Sequence, residues 1–255
     1  MVIKLGKHEV ELYDGIEGMP IVRFHRYQKM LLLDAGVGGD LSALDARIER
    51  VNAYLAQKDT DKARKEIENL RLNVFFIQNN INPRHRAFAC LVKRIDRKQY
   101  DGAEDEQIDA ILRELSDVPV AEIEQELNSV KKKIEADLTL YFPRLFGDAG
   151  EKEYYELLRR RTVRVLDGII NGESDPEKSA EELTIKILLY INPRKYAGSE
   201  GMEVQYDKQF ENICLSLSEQ LNIRPKTMAV FEFYAAFELI RDRAREMQKQ
   251  AKRQR

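Results

Sequence analysis

The chain has 255 residues, 43% apolar and 34% charged, and its 42 Lys and Arg against 44 Asp and Glu leave a formal net charge of −2. That length can bury a core in one or two domains, and the charge balance argues against coating nucleic acid along the whole chain, which needs a large basic excess. Met1 to Leu12 contain no signal-type apolar segment and no apolar run approaches the roughly 20 residues that span a bilayer, so a charge-rich helical protein, neither secreted nor membrane-spanning, is expected.

Val2, Ile3 and Leu5, then Gly6-Lys7, then Val10 and Leu12 alternate about a glycine and predict a short β-hairpin. "YDGIEGMP" is turn chemistry, and Pro20 suits the start of a helix, where its missing N–H is not needed. That helix is predicted through "IVRFHRYQKMLLLDA" and ends at "GVGGD", with Asp40 capping the next. Leu41, Leu44, Ile48, Val51 and Leu55 recur at spacings of three and four, as do Ala63, Ile67, Leu70, Val74 and Ile77 after "KDTD". Two such amphipathic helices joined by a tight polar turn predict an antiparallel hairpin.

Asn82-Pro83 forms a cap-and-start pair for a helix carrying Ala87, Leu91 and Ile95. Val120, Ile123, Leu127, Val130, Ile134, Leu138 and Tyr141 make a heptad-like seam ending at Pro143, read first as intramolecular core and otherwise as an oligomer seam. "PRLFGDAGEKE" is the predicted boundary between halves, which divides the chain into 1–19 (hairpin and turn), 20–147 (N-terminal helical region) and 148–255 (C-terminal helical region with basic tail). Helices follow at 154–170, at 176–190 behind Asp175-Pro176, at 204–221 and from Lys226 to near the end, with sheet confined to the first dozen residues. The tetrapeptide "INPR" occurs at Ile81–Arg84 and again at Ile191–Arg194, where Ile191 and Tyr196 could staple the entry but "AGSEG" follows at once. Its two copies share a corner, not a fold. The expected class is mainly α: a short N-terminal β-hairpin followed by antiparallel helix hairpins forming a multi-helix bundle.

No catalytic, cofactor-binding or metal-ligating residue is expected. His8, His25 and His85 each lack a second His or Cys at ligand spacing, and no serine or cysteine nucleophile signature occurs. Cys90 and Cys214 lie far apart in helical patterns and read as reduced, buried thiols. "GVGGD" follows a helix and lacks the G-K-[ST] ending, so it reads as an interhelical loop and not a phosphate cradle. Asp105-Glu106 and Glu181-Glu182 read as solvated helix faces.

Interaction candidates are of two kinds. Arg159, Arg160, Arg161 and Arg164 in "RRRTVR", and the tail with Arg241, Arg243, Arg245, Lys249, Lys252, Arg253 and Arg255, are basic clusters open to acidic faces, a protein partner or nucleic acid. In "AVFEFYAAFELI", Phe231, Phe233, Tyr234 and Phe237 are aromatic anchors either of the core or of an interface.

The hairpin type "VIKLGKHEVELYDGI" followed at once by helix pairs resembles proteins encoded in the tail and morphogenesis regions of bacteriophages. "LYDGIEGMPIVRFHRYQKMLLLDAGVGGDL" with "ENLRLNVFFI" and "FACLVKRI" is similar to uncharacterised phage and prophage proteins of gut bacteria, and "TMAVFEFYAAFELI" resembles the aromatic helix of small helical tail-assembly proteins. The likeness spans about the first 95 residues and this late helix, and it carries no functional residue with it. It implies a non-enzymatic assembly factor or minor tail or neck component that self-associates and contacts other tail or virion proteins, in the virion or in the host cytoplasm during assembly. The alternative expectation is a nucleic-acid-associated accessory protein using the basic C-terminal tail; a third is an enzyme whose site is assembled from distant residues.

Overall fold

In the computed structural model, which describes residues 1–41, 44–146, 152–190 and 193–253 (152–155, 188–190 and 251–253 by backbone alone), β1 (Val2–Leu5) and β2 (His8–Leu12) form the expected hairpin. Gly6 takes the turn at φ +54°, and β1 and β2 pair antiparallel from Val2 opposite Glu11 to Leu5 opposite His8. The sheet does not stop there. β3 (Val92–Ile95) adds to the free edge of β2, with Val10 opposite Ile95 and Leu12 opposite Val92, and β4 (Lys98–Gln99) follows in the order β1-β2-β3-β4.

This corrects two expectations, that sheet is confined to the first dozen residues and that the helix after Pro83 runs to Ile95. Asn82 does cap that helix, accepting from the amides of Arg84 and His85, but α4 ends at Leu91 (Pro83–Leu91). Two forces stop it. Val92 and Ile95 are β-branched and meet an open strand edge, and Arg23 of α1 (Ile21–Gly36) takes up carbonyls at the α4 exit. Arg23 is fully buried and donates to the backbone oxygens of Cys90, Val92 and Tyr100, with its guanidinium 5.6 Å from the Tyr13 ring centroid. A cation held at a helix C-terminus satisfies the end and its dipole together.

The α1–α4 pair is the centre of the body. Against α4 lies α6 (Val120–Tyr141), which buries Ile123, Leu127, Val130, Ile134 and Leu138, so the heptad-like seam is used inside the chain. Fully buried Ile108 and Ile111 hold α5 (Asp105–Glu114) on the same core, and α7 (Pro143–Phe146) follows α6. On the other side α11 (Met202–Leu221) and α12 (Val230–Arg253) close over α1; the Ile21 amide donates to Met228 O and the Val230 amide to Met19 O, tying the two helix starts together. Pro225–Thr227 forms a single 3₁₀ turn, which is why the last helix begins at Val230 and not at Lys226. Both thiols are buried and free, and burial pushes Cys90 up to about 12 and Cys214 up to about 11.

Two helical units sit at the periphery. α2 (Leu44–Ala56) and α3 (Thr60–Gln78) form the predicted hairpin, with Asp59 capping α3 through the Lys62 amide at 3.2 Å. α8 (Lys152–Ile170) packs on α9 (Pro176–Ser179) and α10 (Glu181–Tyr190), which replace the single helix expected over 176–190. The expected Asp40 cap abuts residues 42 and 43, the expected boundary falls on 147–151, and the second INPR begins with residues 191 and 192, all outside the described residues.

The "GVGGD" loop is where distant segments converge. Gly38 adopts φ +67°. A Cβ on Gly39 would lie 2.6 Å from Ile81 O and 2.7 Å from Pro83 Cδ, and one on Gly36 would enter the Tyr196 ring. The glycines therefore admit the first INPR corner and the segment following the second one, and this backbone is occupied by protein. Gly39→Ala should cost about 2–4 kcal/mol in urea-unfolding stability, whereas Gly18→Ala, with nothing within 4 Å of its Cβ, should stay within about 0.5 kcal/mol of wild type; equal effects would contradict this packing.

Candidate interaction surface

A cleft of about 680 Å³ lies between α1, α3, α4, α5 and α11 and gathers charged side chains that are far apart in the sequence. His25 is stacked between Tyr206 and Phe210, with ring centroids at 4.6 and 4.1 Å, and its Nε2 lies 2.9 Å from Asp207 Oδ1. Lys29 reaches Asp207 at 2.8 Å and Glu203 at 3.1 Å. Arg26 pairs with Asp105, and Arg86 with Asp105 at 3.2 Å and Asp109 at 2.7 Å. Acid and base thus neutralise each other across four helices, which makes the cleft wall a brace. The signal for the His25 slot was Tyr206 and Phe210 four apart with Asp207 between, visible only once α1 is known to cross α11. Among the described residues, no group of three or more His, Cys, Asp or Glu is arranged to hold a metal ion, and no helix is long and apolar enough to cross a membrane.

The aromatic candidates point inward. Phe233 is buried; Phe231 meets Tyr141 edge-on at 5.3 Å and Phe142 at 5.6 Å, and Tyr234 contacts Phe24, Phe142, Phe146 and Phe233. Phe237 packs partly buried on the same core beneath Arg241, whose guanidinium lies 5.8 Å from the ring centroid. These rings fasten α12 to α1 and α6. Of the basic candidates, Arg161 pairs with Glu177 and donates to Thr184 Oγ1 at 2.9 Å, and Arg164 pairs with Glu173 at 3.1 Å, so both are spent within the α8–α10 unit. Arg159 and Arg160 are exposed, Arg159 lying 3.7 Å from Glu156. The side chain of Arg253 lies outside the described residues.

The orientation of the α2–α3 hairpin has no signature in the sequence. On α2 and α3 the buried positions are Arg47, Val51, Tyr54, Ala63, Glu66, Asn69, Asn73 and Phe76, and the predicted apolar stripe is in large part outside. Leu41 is 69% exposed, Ile48 48% and Leu55 50%, with Ile67 and Val74 also exposed, while Arg47 and Glu66 are 3% and 2% exposed. The cause is a set of polar contacts made on the inner side of the hairpin. Arg47 pairs with Glu66 at 3.1 Å and donates to Gly36 O; Arg50 lies 3.6 Å from the other Glu66 oxygen. Asn73 Nδ2 donates to Val37 O and Gly38 O, and Asn69 takes both an N–H and a carbonyl of the 194–196 segment, donating to Arg194 O at 2.8 Å and accepting from the Tyr196 amide at 3.3 Å. Burial lowers the proton affinity of Arg47, with Arg50 adding to the shift and Glu66 opposing it.

The α8–α10 unit also exposes apolar side chains, although its ion-paired arginines stay at the surface. Arg161 and Arg164 are directed at partners on or beside α9 and α10, and Val163, Leu166, Ile169 and Ile170 face outward. Sequence period cannot reveal this, because both stripes of each helix recur at three and four.

Glu66→Ala leaves Arg47 and Arg50 without their shared carboxylate, so it should lower unfolding free energy by about 3–5 kcal/mol; a loss below about 1 kcal/mol would contradict a bracing role. Burial lowers the pKa of His25, against the raising effect of Asp207, and burial lowers that of His85. A neutral ring favoured by the fold gives stability that is complete above the unfolded value near 6.5 and declines as pH falls through the folded values. His25→Gln should therefore make urea stability fall less steeply between about pH 7 and pH 5 than in wild type; an unchanged or steeper slope would count against it.

No protein-family model, curated protein or solved structure was found to match the chain.

Proposed function

We propose that this protein is a non-enzymatic assembly component that works by presenting helix faces to other proteins, as an assembly factor or minor component of a phage tail or virion. The observation that carries the reading is apolar surface on both peripheral units: the α2–α3 hairpin keeps Arg47, Glu66, Asn69 and Asn73 inside and turns Ile48, Leu55, Ile67 and Val74 outward, and α8 exposes Val163, Leu166, Ile169 and Ile170. Each half-exposed Leu or Ile leaves about 1 kcal/mol of burial unrealised, and clustered apolar surface of this kind marks sites that another surface covers. The internal pairing of the cleft charges and of much of the "RRRTVR" cluster adds support, since it leaves these faces as the conspicuous unpartnered surface.

Cross-linking with mass spectrometry in producing cells tests this. Intermolecular cross-links are expected at Lys58, Lys62 or Lys65 beside the α2–α3 face or at Lys178 or Lys186 in the α8–α10 unit, lost selectively in Ile48→Glu and Leu166→Glu respectively. Neither set appearing, with both variants eluting as wild type does, would overturn the reading.

A further inference from the structure

We propose that the α2–α3 face is closed by a second copy of this chain, the two hairpins forming an antiparallel four-helix bundle about a two-fold axis parallel to the helices. The proposal rests on the assembly reading and adds its partner and geometry. Ile48 and Leu55 are separated by seven residues, as are Ile67 and Val74, which is the repeat of a helix–helix seam. Glu66, Asn69 and Asn73 direct the opposite side of the hairpin at Arg47 and at the 37–38 and 194–196 backbone, so both stripes lie on one outer face. Counting outward from the turn at Lys58–Asp59, Ile67 falls in height between Leu55 and Ile48, and Val74 lies beyond Ile48. Laying α2 of one copy on α3 of the other therefore puts each apolar knob into a gap of the facing stripe.

The charges select this arrangement. Asp45 stands three residues before Ile48 on α2; Arg64 and Arg71 stand three before Ile67 and Val74 on α3. All three are exposed, and among the described residues none of them forms an ion pair within the chain. A two-fold parallel to the helices places Asp45 at the height of Arg71 of the second copy, twice per dimer. A two-fold perpendicular to the helices sets α3 on α3 with Arg64 against Arg71, which like-charge repulsion opposes. The face measures about 20 by 25 Å, from a rise of about 1.5 Å per residue and two adjacent helices. That is at the low end of specific interfaces, so the dimer is reversible and depends on concentration.

Sedimentation equilibrium of the full chain from about 1 to about 300 µM tests this range of weak association. Wild type should pass from monomer to dimer. Ile48→Glu, at an exposed position and checked for folding by circular dichroism, should weaken association at least about 100-fold. Asp45→Arg and Arg71→Asp should each weaken it about 10-fold, and the double variant D45R/R71D should return it to within about 2-fold of wild type. A wild type that stays monomeric, a dimer indifferent to Ile48→Glu, unaffected single charge variants, or a double variant that fails to recover would each overturn the proposal. A monomer that retains heterologous cross-links at either helix face sinks the dimer alone; a monomer with none sinks the assembly reading as well.

Discussion

The buried Arg47–Glu66 pair, with Asn69 and Asn73 beside it, fixes the rotation of the α2–α3 hairpin, and the surface character of the molecule follows from that rotation. A buried ion pair adds little net stability over an apolar replacement, but removing one partner is expensive. Its value here is directional. An amphipathic hairpin offers two stripes to its neighbours, and burying the apolar one would strand the guanidinium and carboxylate away from the carbonyls and amides they now meet. Asn69 strengthens the choice because it reads main-chain groups of the 194–196 segment, which any sequence in extended form presents, so the contact depends on backbone shape more than on side-chain identity.

Arg23 has a comparable role at the centre, where it closes the C-terminal end of α4 and joins α1 to the sheet through main-chain carbonyls. The protein thus uses buried arginines as joints between main-chain ends. The body around α1 and α4 follows the ordinary rule of apolar inside, and its helices brace one another through the ion pairs lining the cleft. The α2–α3 hairpin breaks the rule, and it does so where polar partners are waiting.

This difference explains what could be read from the chain alone. Alternation about Gly6, the Asn82-Pro83 start, the α6 seam and the mainly helical class were legible because each depends on local chemistry or on a strong single period. Val92–Ile95 was not, since four residues that continue a helical spacing also fit a strand and only the open edge of β2 decides. The interaction face was legible as a pattern and illegible as a direction: Ile48, Leu55, Ile67 and Val74 were visible as a stripe, while the partners of Glu66 and Asn73 lie up to 36 residues away and have no linear signature. The aromatics of α12 illustrate the converse. A dense run of rings looks like an anchor set, yet only the positions of Phe24, Tyr141 and Phe142 reveal that it is turned inward.

Cys90 and Cys214 give the molecule a built-in clock. They are the only thiols in the chain, both shielded from solvent and held protonated by burial. At neutral pH an alkylating reagent reacts with them only through openings of the fold, and the two sites sample different ones: Cys90 lies at the α1–α4 centre, Cys214 on the α11 layer closing over it. The pair of modification rates therefore orders the opening of the outer layer relative to the centre, and it does so in the native sequence without an added probe.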